Sequence, residues 1–274
     1  MVEKALGLPA DGIILDLEDA VPPAEKDAAR DELARALDAV ADGSAGPARI
    51  VRVNDTSSGR LEGDLEAVVR PGLDAVLVPK ANSAADVELV ASLLTALEGR
   101  AGLAAGSIRI VAAIESARGL HELAKIALAD ERVTGLMFGA EDLALDLGLP
   151  VVRKGPGQEL IAARSALVLA AALARIQCLD QVWLEFHDLD GLRRDAVVGR
   201  QIGFTGKCVI HPSQIEVVNE TFSPTDAELE QAEAIVAAFA DAQAQGLGVV
   251  MLGGQVVEKP IVERALAVLD AKRA

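Results

Sequence analysis

The stretch IRIVAAIESARGLHELAKIALADERVTGLMFGAED (residues 108–142) decides the fold. It contains two apolar runs of strand length, and each run stops at a carboxylate: Glu115 after the first and Asp142 after the second. Between them, apolar residues recur over 120–127 at the spacing of one helical face. A strand, a helix and a second strand predict a parallel pair, whose strand ends lie at one edge of the sheet. Because α/β proteins place their chemistry at that edge, we expect the two carboxylates to lie close together.

Two interpretations of these carboxylates remain open on this stretch alone. Two converging oxygen ligands with no cysteine or histidine nearby suit Mg²⁺ better than zinc. Alternatively, Glu115 and Asp142 only cap the helices that follow them.

Composition excludes several classes of function. The 274 residues are 51% apolar and 2% aromatic, which predicts a large aliphatic core. The net charge is −16 and no basic run occurs, so neither nucleic acid nor an anionic membrane is expected as a partner. Two cysteines, Cys178 and Cys208, are too few for a disulfide framework. With no signal-peptide layout and no apolar run of about 18 residues, the sequence predicts a cytoplasmic protein.

Strand and helix patterns alternate along the chain. Besides the two strands of 108–142, strands are predicted at 12–21, 48–55, 73–81, 180–186 and 206–212. Further helices are predicted at 2–8, 24–41, 61–69, 83–98, 157–176, 190–201 and 225–245. The tail from 246 predicts a glycine-rich hairpin and a last helix. Because no linker interrupts the pattern, we expect a barrel domain over 1–245, with 246–274 as its C-terminal lid and helix.

Continuous strand–helix repeats with apolar strands predict a parallel sheet covered by helices. We count seven strands, whereas a TIM (β/α)8 barrel has eight. Since the sequence opens on a helix, the strand that is missing is expected to be the first, upstream of Met1. A doubly wound sheet is the alternative, but no G-x-G-x-x-G follows the first strand.

Polar residues end the first three strands: Asp16, Glu18 and Asp19, then Arg52, then Lys80. In a barrel these residues meet the carboxylates of the opening stretch at one face. A lone guanidinium in an apolar strand is costly, so Arg52 either pairs with Asp16 or Glu18 or binds a carboxylate or developing oxyanion. Lys80 is expected to bridge strand-end carboxylates without touching the substrate.

Six ordered motifs carry a family resemblance: GIILDLEDAV, RIVRVN, VLVPKA, AAIESARGL, MFGAEDLA and GFTGKCVIHPSQI. In order and spacing the chain resembles, over about residues 1–263, the citrate lyase β-subunit-like enzymes of the HpcH/HpaI aldolase and citrate lyase family. Malyl-CoA and citramalyl-CoA lyases belong to the same family. The resemblance implies a TIM barrel, a homotrimer, Mg²⁺ as cofactor, and a 3-hydroxyacyl thioester such as a CoA thioester as substrate.

The resemblance also implies roles for individual residues. Glu115 and Asp142 become the metal ligands, and Glu115 also borders the substrate. Arg52 becomes the group that holds the oxygen of the enolate. Glu18 and Asp19 are expected to orient metal-bound water, with Asp16 and Lys80 as their neighbours. Three further residues are implied to border the CoA portion: Lys4, Ile210 and His211.

The tail departs from the family pattern. The family motif G-x-x-V-D-x-P carries an aspartate that reaches a neighbouring subunit's site, and here GGQVVEKP places Glu258 there. Glutamate has one methylene more than aspartate, which moves the carboxylate by about 1.5 Å. Catalysis depends on placement within about 1 Å, so this shift is large enough to matter. The resemblance implies that Glu258 takes the place of this aspartate as the catalytic acid or base.

The hypothesis from sequence is an acyl-CoA lyase that splits a malyl-, citramalyl- or citryl-type thioester into acetyl-CoA and a keto acid. Three alternatives stay open. The chain could be the β subunit of a multi-chain citrate lyase that uses an acyl carrier protein, or a malyl-CoA thioesterase. The third alternative is a non-catalytic CoA-binding protein.

Overall fold

A computed structural model of the chain describes residues 2–40, 46–150 and 157–271. Its centre is a parallel sheet in which each strand pairs with the next along the chain. The strands are β1 (Gly12–Asp16), β2 (Ala48–Arg52), β3 (Ala75–Val78), β4 (Arg109–Ile114), β5 (Val133–Phe138), β6 (Gln177–Asp180) and β7 (Gly206–Lys207).

The strand order decides between the two predicted folds. A doubly wound sheet reverses its order at a switch point, whereas a barrel adds strands in sequence. The observed order β1 to β7 is sequential, so the predicted barrel class is confirmed. In the described residues β1 and β7 are the two edges, and an eighth strand between them would close the barrel.

Helices connect the strands. They are α1 (Val2–Leu6), α2 (Lys26–Ala39), α3 (Leu61–Val68), α4 (Ala84–Ala101), α5 (Ala117–His121), α6 (Leu123–Ala127), α7 (Ala140–Asp146), α8 (Ile161–Ala174), α9 (Leu189–Ile202), α10 (Ile215–Phe222), α11 (Asp226–Ala244) and α12 (Lys259–Ala271). The last residue of the predicted helix 24–41 lies outside the described residues. None of the described helices combines the length and the apolar character needed to cross a membrane.

The middle of the sheet is covered on both faces. All four residues of β3 are buried, which explains why this strand reads as a continuous apolar run. On the face inside the barrel, Leu77, Val111 and Ala113 form one cluster, with Ile50 and Met137 packed against it. These aliphatic side chains hold the four strands β2 to β5 together beneath the polar strand ends.

The predicted strands at 180–186 and 206–212 are wrong in extent. The first ends at Asp180, and the second covers only Gly206–Lys207. Both strands stop where a buried charge enters: Asp180 and Lys207 pair with each other, and with Arg164 and Asp195. All four side chains are fully buried, and the two cations balance the two carboxylates. The apolar residues after Asp180, in QVWLEF, form a loop instead.

The chain divides into two compact units, Met1–Val218 and Asn219–Ala274. The first unit contains the parallel sheet. In the second, an antiparallel hairpin of β8 (Val250–Leu252) and β9 (Gln255–Val257) precedes α12, as predicted for the tail. Here α11 shares a core with the tail, so this unit begins before the predicted lid at 246. The division into 1–245 and 246–274 stays a prediction.

A buried ion pair fastens α4 to the loop before β5. The Glu98 carboxylate accepts hydrogen bonds from Arg132 (2.8 and 2.7 Å) and from the backbone N–H groups of Gly106 (2.9 Å) and Ile108 (2.8 Å). Burial opposes the ionisation of Glu98, but these donors outweigh it and lower the pKa of this carboxyl from 4.5 to about 2.

We therefore predict an acid-dependent contribution of Glu98 to stability. The folded-state pKa is depressed, so the contribution is complete above about pH 5 and disappears as the pH falls from about 4.5 to about 2. Urea unfolding of wild type and Glu98→Gln should show a difference in unfolding free energy that shrinks by about 3 kcal/mol across this window. A difference that stays constant with pH would contradict the assignment.

Candidate active site

The carboxyl ends of the first five strands bring together the polar side chains predicted there. Asp16 ends β1 and lies in register with Arg52 at the end of β2. Lys80 follows β3, Glu115 follows β4, and Asp142 lies in the first turn of α7 after β5. Glu18 and Asp19, which follow β1, complete this carboxylate cluster: Asp16, Glu18, Asp19, Arg52, Lys80, Glu115 and Asp142.

Arg52 is held by the carboxylates of the first strand. Its Nε and Nη2 atoms donate to the two oxygens of Asp16 at 2.7 and 2.5 Å, a bidentate pair. Its Nη1 atom lies 3.1 Å from Oε2 of Glu18. Burial disfavours the cation, but the hydrogen bonds to Asp16 outweigh this and raise the pKa of Arg52. The pairing predicted from sequence is present, and the 23% exposure of the side chain leaves the guanidinium accessible from one side.

Glu18 is a buried carboxylate shared by two cations. Its Oε1 accepts a hydrogen bond from Lys80 Nζ at 2.6 Å. Its Oε2 lies near Arg52, yet in the described residues it has no hydrogen-bond donor of suitable geometry. A buried carboxylate oxygen without a donor is costly unless something else approaches it. Oε2 of Glu18 can therefore accept a hydrogen bond from a water or another donor in this site.

Lys80 has an unusual backbone conformation and contacts three carboxylates at once. Its φ is +51°, the left-handed region that non-glycine residues rarely adopt. There its backbone N–H donates to Oε2 of Glu115 (3.2 Å), while its ammonium binds Glu18 and lies 3.4 Å from Asp19. Strain of this kind is found mainly at functional sites. The predicted bridging role of Lys80 agrees with these contacts.

Glu115 is the most perturbed acid of the carboxylate cluster. Burial raises its pKa, repulsion from Asp142 and from Glu18 raises it further, and the value reaches about 7. It does not cap a helix, because Ser116 is the residue that accepts from Gly119 N–H at the start of α5. The capping interpretation is therefore wrong for Glu115.

Gly139 makes room for Glu115. A Cβ atom at this position would lie 2.3 Å from Cγ of Glu115, far inside van der Waals contact. The carboxylate can therefore rest against the backbone three residues before Asp142. Gly139 is missing from the residues predicted from sequence, although a glycine directly after a strand and just before an acidic residue is a visible signal.

These residues fit a divalent cation. The raised pKa of Glu115 has two neighbouring carboxylates among its causes, so a cation placed between Glu115 and Asp142 would relieve the repulsion. The protein would supply only these two carboxylates, because no group of three or more acidic, histidine or cysteine side chains among the described residues is arranged to hold a metal. Mg²⁺ suits such a site, since it uses one or two carboxylates and takes its other ligands from water and substrate.

The sequence also missed the groups that support the turn after β1. Lys26 is buried, and its ammonium donates to the carbonyl oxygens of Leu17 (2.7 Å) and Glu18 (2.9 Å). The amide of Asn54 donates to Leu17 O (2.9 Å) and to Asp64 (2.6 Å). Both contacts fix the backbone that carries Glu18. In the sequence, Lys26 lies at helical spacing from Leu33 and Leu37, the buried apolar residues of α2. This spacing was the signal that Lys26 is buried as well.

The remaining predicted residues lie elsewhere. Lys4 is exposed on α1, and Ile210 is exposed after β7. His211 begins the 3-10 turn Pro212–Gln214: its Nδ1 accepts from Ser213 N–H, and its ring stacks on Phe186 at 5.0 Å. Glu258 is exposed in the second unit, directly before α12. Their roles in binding or catalysis stay predictions.

We predict that Gly139→Ala weakens Mg²⁺ binding at least tenfold while the protein stays folded. The new methyl group would lie 2.3 Å from Cγ of the buried Glu115 side chain and must displace it, which moves a proposed ligand. Gly135→Ala in β5 is the matched control, because its Cβ would meet neighbours at an ordinary 3.6 Å. Calorimetric titration with Mg²⁺ measures both variants, and equal affinities in the two would contradict the role of Gly139.

Comparison with known proteins places the chain in a family. Residues 1–212 match the family model described as HpcH/HpaI aldolase/citrate lyase. The citrate lyase subunit beta of Leuconostoc mesenteroides subsp. cremoris is 38% identical over 100% of this chain and 89% of the relative. A (3S)-malyl-CoA thioesterase of Cereibacter sphaeroides is 43% identical over 94% of this chain and 85% of the relative.

A solved structure gives the same result. The CitE protein of Mycobacterium tuberculosis, in complex with magnesium, acetoacetate and coenzyme A, is 33% identical and superposes with a TM-score of 0.77. The match covers 96% of this chain and 90% of that protein. The motifs, the sequential parallel sheet and these relatives agree, and the chain belongs to the HpcH/HpaI aldolase/citrate lyase family.

Proposed function

We propose that this protein is a Mg²⁺-dependent acyl-CoA lyase that cleaves or forms a carbon–carbon bond in a 3-hydroxyacyl thioester. The products of cleavage are acetyl-CoA and a keto acid. The observation that carries the proposal is the combination of Glu115 and Asp142, two mutually repelling carboxylates, with the fixed cation Arg52 in one cluster. A metal and a guanidinium are the two positive groups that this chemistry needs.

When bound between Glu115 and Asp142, the metal supplies a Lewis acid that polarises the carbonyl oxygen of the keto acid. Arg52 stabilises the negative charge that develops on the thioester oxygen when the carbon–carbon bond breaks. Asp16 holds the guanidinium plane through its bidentate pair, so that little reorientation is needed during the reaction. Lys80 keeps Glu18 paired at the rear of the cluster.

Cleavage requires one proton to leave the substrate hydroxyl and one to reach the new methyl carbon. The electrons of the broken bond pass to the thioester enolate, and protonation of the enolate carbon gives acetyl-CoA. We assign both transfers to Glu258 of a neighbouring subunit in a homotrimer: its carboxylate accepts the hydroxyl proton and returns a proton to the enolate carbon. Three residues are proposed to border the CoA portion of the substrate: Lys4, Ile210 and His211.

The location of the protein in the cytoplasm stays a prediction.

Hydrolysis of the thioester is the second candidate function. It is favoured by the 43% identity to a malyl-CoA thioesterase, which exceeds the 38% identity to the citrate lyase subunit. The similarity to citrate lyase subunits also keeps open a β subunit that uses an acyl carrier protein. A non-catalytic CoA-binding role is disfavoured, because Arg52, Glu115 and Asp142 are all present in the cluster.

A panel of malyl-, citramalyl- and citryl-CoA assayed with Mg²⁺ tests the proposal. A lyase releases acetyl-CoA and a keto acid, whereas a thioesterase releases free CoA and the intact hydroxy acid. Glu115→Gln and Asp142→Asn should abolish turnover and weaken Mg²⁺ binding while the fold survives. Near-native activity of either variant without added metal would contradict the metal assignment.

We predict that Arg52→Lys lowers kcat about a hundredfold, a loss typical of removing one donor to a developing oxyanion. Lysine keeps the charge but cannot form the two-donor fork to Asp16 and still face the substrate. Steady-state kinetics with the best substrate of the panel measures the effect, and circular dichroism checks the fold. An unchanged kcat would leave Arg52 as a structural partner of Asp16 only.

The tail gives a prediction about subunits. The hairpin exposes Met251 (60%), Val249 (50%) and Val256 (49%), an amount of apolar surface that favours contact with another subunit. If Glu258 serves a neighbour's site, then Glu258→Gln and Arg52→Ala proteins, each inactive alone, should recover activity when their subunits are mixed. Some sites in mixed trimers then combine an intact Arg52 with an intact Glu258. No recovery after verified subunit exchange would contradict shared sites.

A further inference from the structure

A polar cavity of about 360 Å³ opens beside the carboxylate cluster and shares Lys80 with it. Its wall is formed by the segments that follow β2, β3 and β4, including the first turns of α4 and α5. The lining residues are Asp55, Thr56, Ser57, Lys80, Asn82, Ser83, Asp86 and Arg118. The volume is within the range of small-molecule sites, about 300–1,000 Å³. Of these lining residues, Lys80 alone has a role in the function proposed above.

The acidic residues of this cavity bond to its own wall. Asp86 accepts hydrogen bonds from Thr56 Oγ1 (2.7 Å), Ser83 Oγ (2.9 Å) and the backbone N–H of Asn82 (3.1 Å). Asp55 accepts from the backbone N–H of Ser57 at 2.9 Å. These carboxylates tie the loops together, and their charge is partly compensated by donors of the wall.

Two donors in the cavity have no acceptor among the described residues. The Ser116 hydroxyl accepts from Gly119 N–H (3.0 Å), so it donates to Oδ1 of Asn82 and leaves Nδ2 of Asn82 as a donor. The exposed side chain of Arg118 makes neither a hydrogen bond nor an ion pair within the part of the chain that the structure describes, although its backbone carbonyl accepts from Glu122 N–H. Its neighbour Glu122 pairs with Lys125 at 2.8 Å instead.

We propose that this cavity binds a second carboxylate of the substrate, with Arg118 and Asn82 as the donors. The inference rests on the proposed function, in which the carbonyl and first carboxylate of the keto acid belong to the metal site. Guanidinium and amide N–H groups are the donors that suit a planar carboxylate. The chain would then favour citryl-type thioesters, which release the dicarboxylate oxaloacetate, over those that release a monocarboxylate such as pyruvate.

Oxaloacetate and pyruvate, titrated calorimetrically with Mg²⁺ present and no thioester, test the proposal without turnover. Both acids offer the same carbonyl and first carboxylate, and only oxaloacetate has the second. Arg118→Gln should weaken oxaloacetate binding about tenfold or more and change pyruvate binding less than about twofold. Asn82→Ala should act in the same direction. Arg100→Gln, an exposed arginine on α4 that is 3.7 Å from Glu66, removes the same charge and should change neither affinity.

The outcomes separate this proposal from the proposed function. Equal effects of Arg118→Gln on the two acids, or no effect on either, would overturn the assignment of the cavity and leave the lyase proposal intact. A dicarboxylate preference that depends on Arg118 in a protein without lyase turnover would support the cavity and remove the lyase. A wild-type protein that binds neither acid with Mg²⁺ would overturn both.

Discussion

Like-charge repulsion at the carboxyl edge of the sheet is the constraint on which the site depends. Parallel strands bring all their carboxyl ends to one edge, and here that edge carries five carboxylates against two cations, Arg52 and Lys80. Arg52 is committed to the acids of β1, and Lys80 is shared between Glu18 and Asp19. Glu115 and Asp142 therefore have no ion-pair partner among the described residues. Burial, together with repulsion from Asp142 and Glu18, raises the pKa of Glu115 to about 7. A cation bound between these two carboxylates would convert their repulsion into affinity.

The geometry of the site is set mainly by the backbone. Lys80 adopts a left-handed conformation that turns its N–H toward Glu115, and Gly139 leaves the space that this carboxylate occupies. Behind them, Lys26 holds the carbonyl groups of the turn that carries Glu18. A site whose ligands rest on fixed backbone needs little rearrangement when a metal or substrate arrives.

The two halves of the barrel use buried charge differently. At β6 and β7, two cations and two carboxylates are fully buried and balanced, so this cluster offers no net charge to a ligand. At β1 to β5 the acids outnumber the cations, and the neighbouring cavity contains side-chain donors of Arg118 and Asn82 that have no acceptor among the described residues. Net charge, more than the number of charged residues, separates a cluster that stabilises the fold from one suited to binding.

The sequence alone determined the barrel class, the first five strands and the carboxylates at their ends. Hydrophobic periodicity and strand–helix alternation are local properties, and parallel pairing then brings Glu115 and Asp142 to one edge. It did not determine the ends of β6 and β7, because a buried ion cluster between distant residues, Asp180 and Lys207 among them, stops these strands. Nor did it predict the conformation of Lys80, the space above Gly139, the pKa of Glu115 or the cavity at Arg118. These depend on distances between residues far apart in the chain, and only the tertiary structure decides such distances.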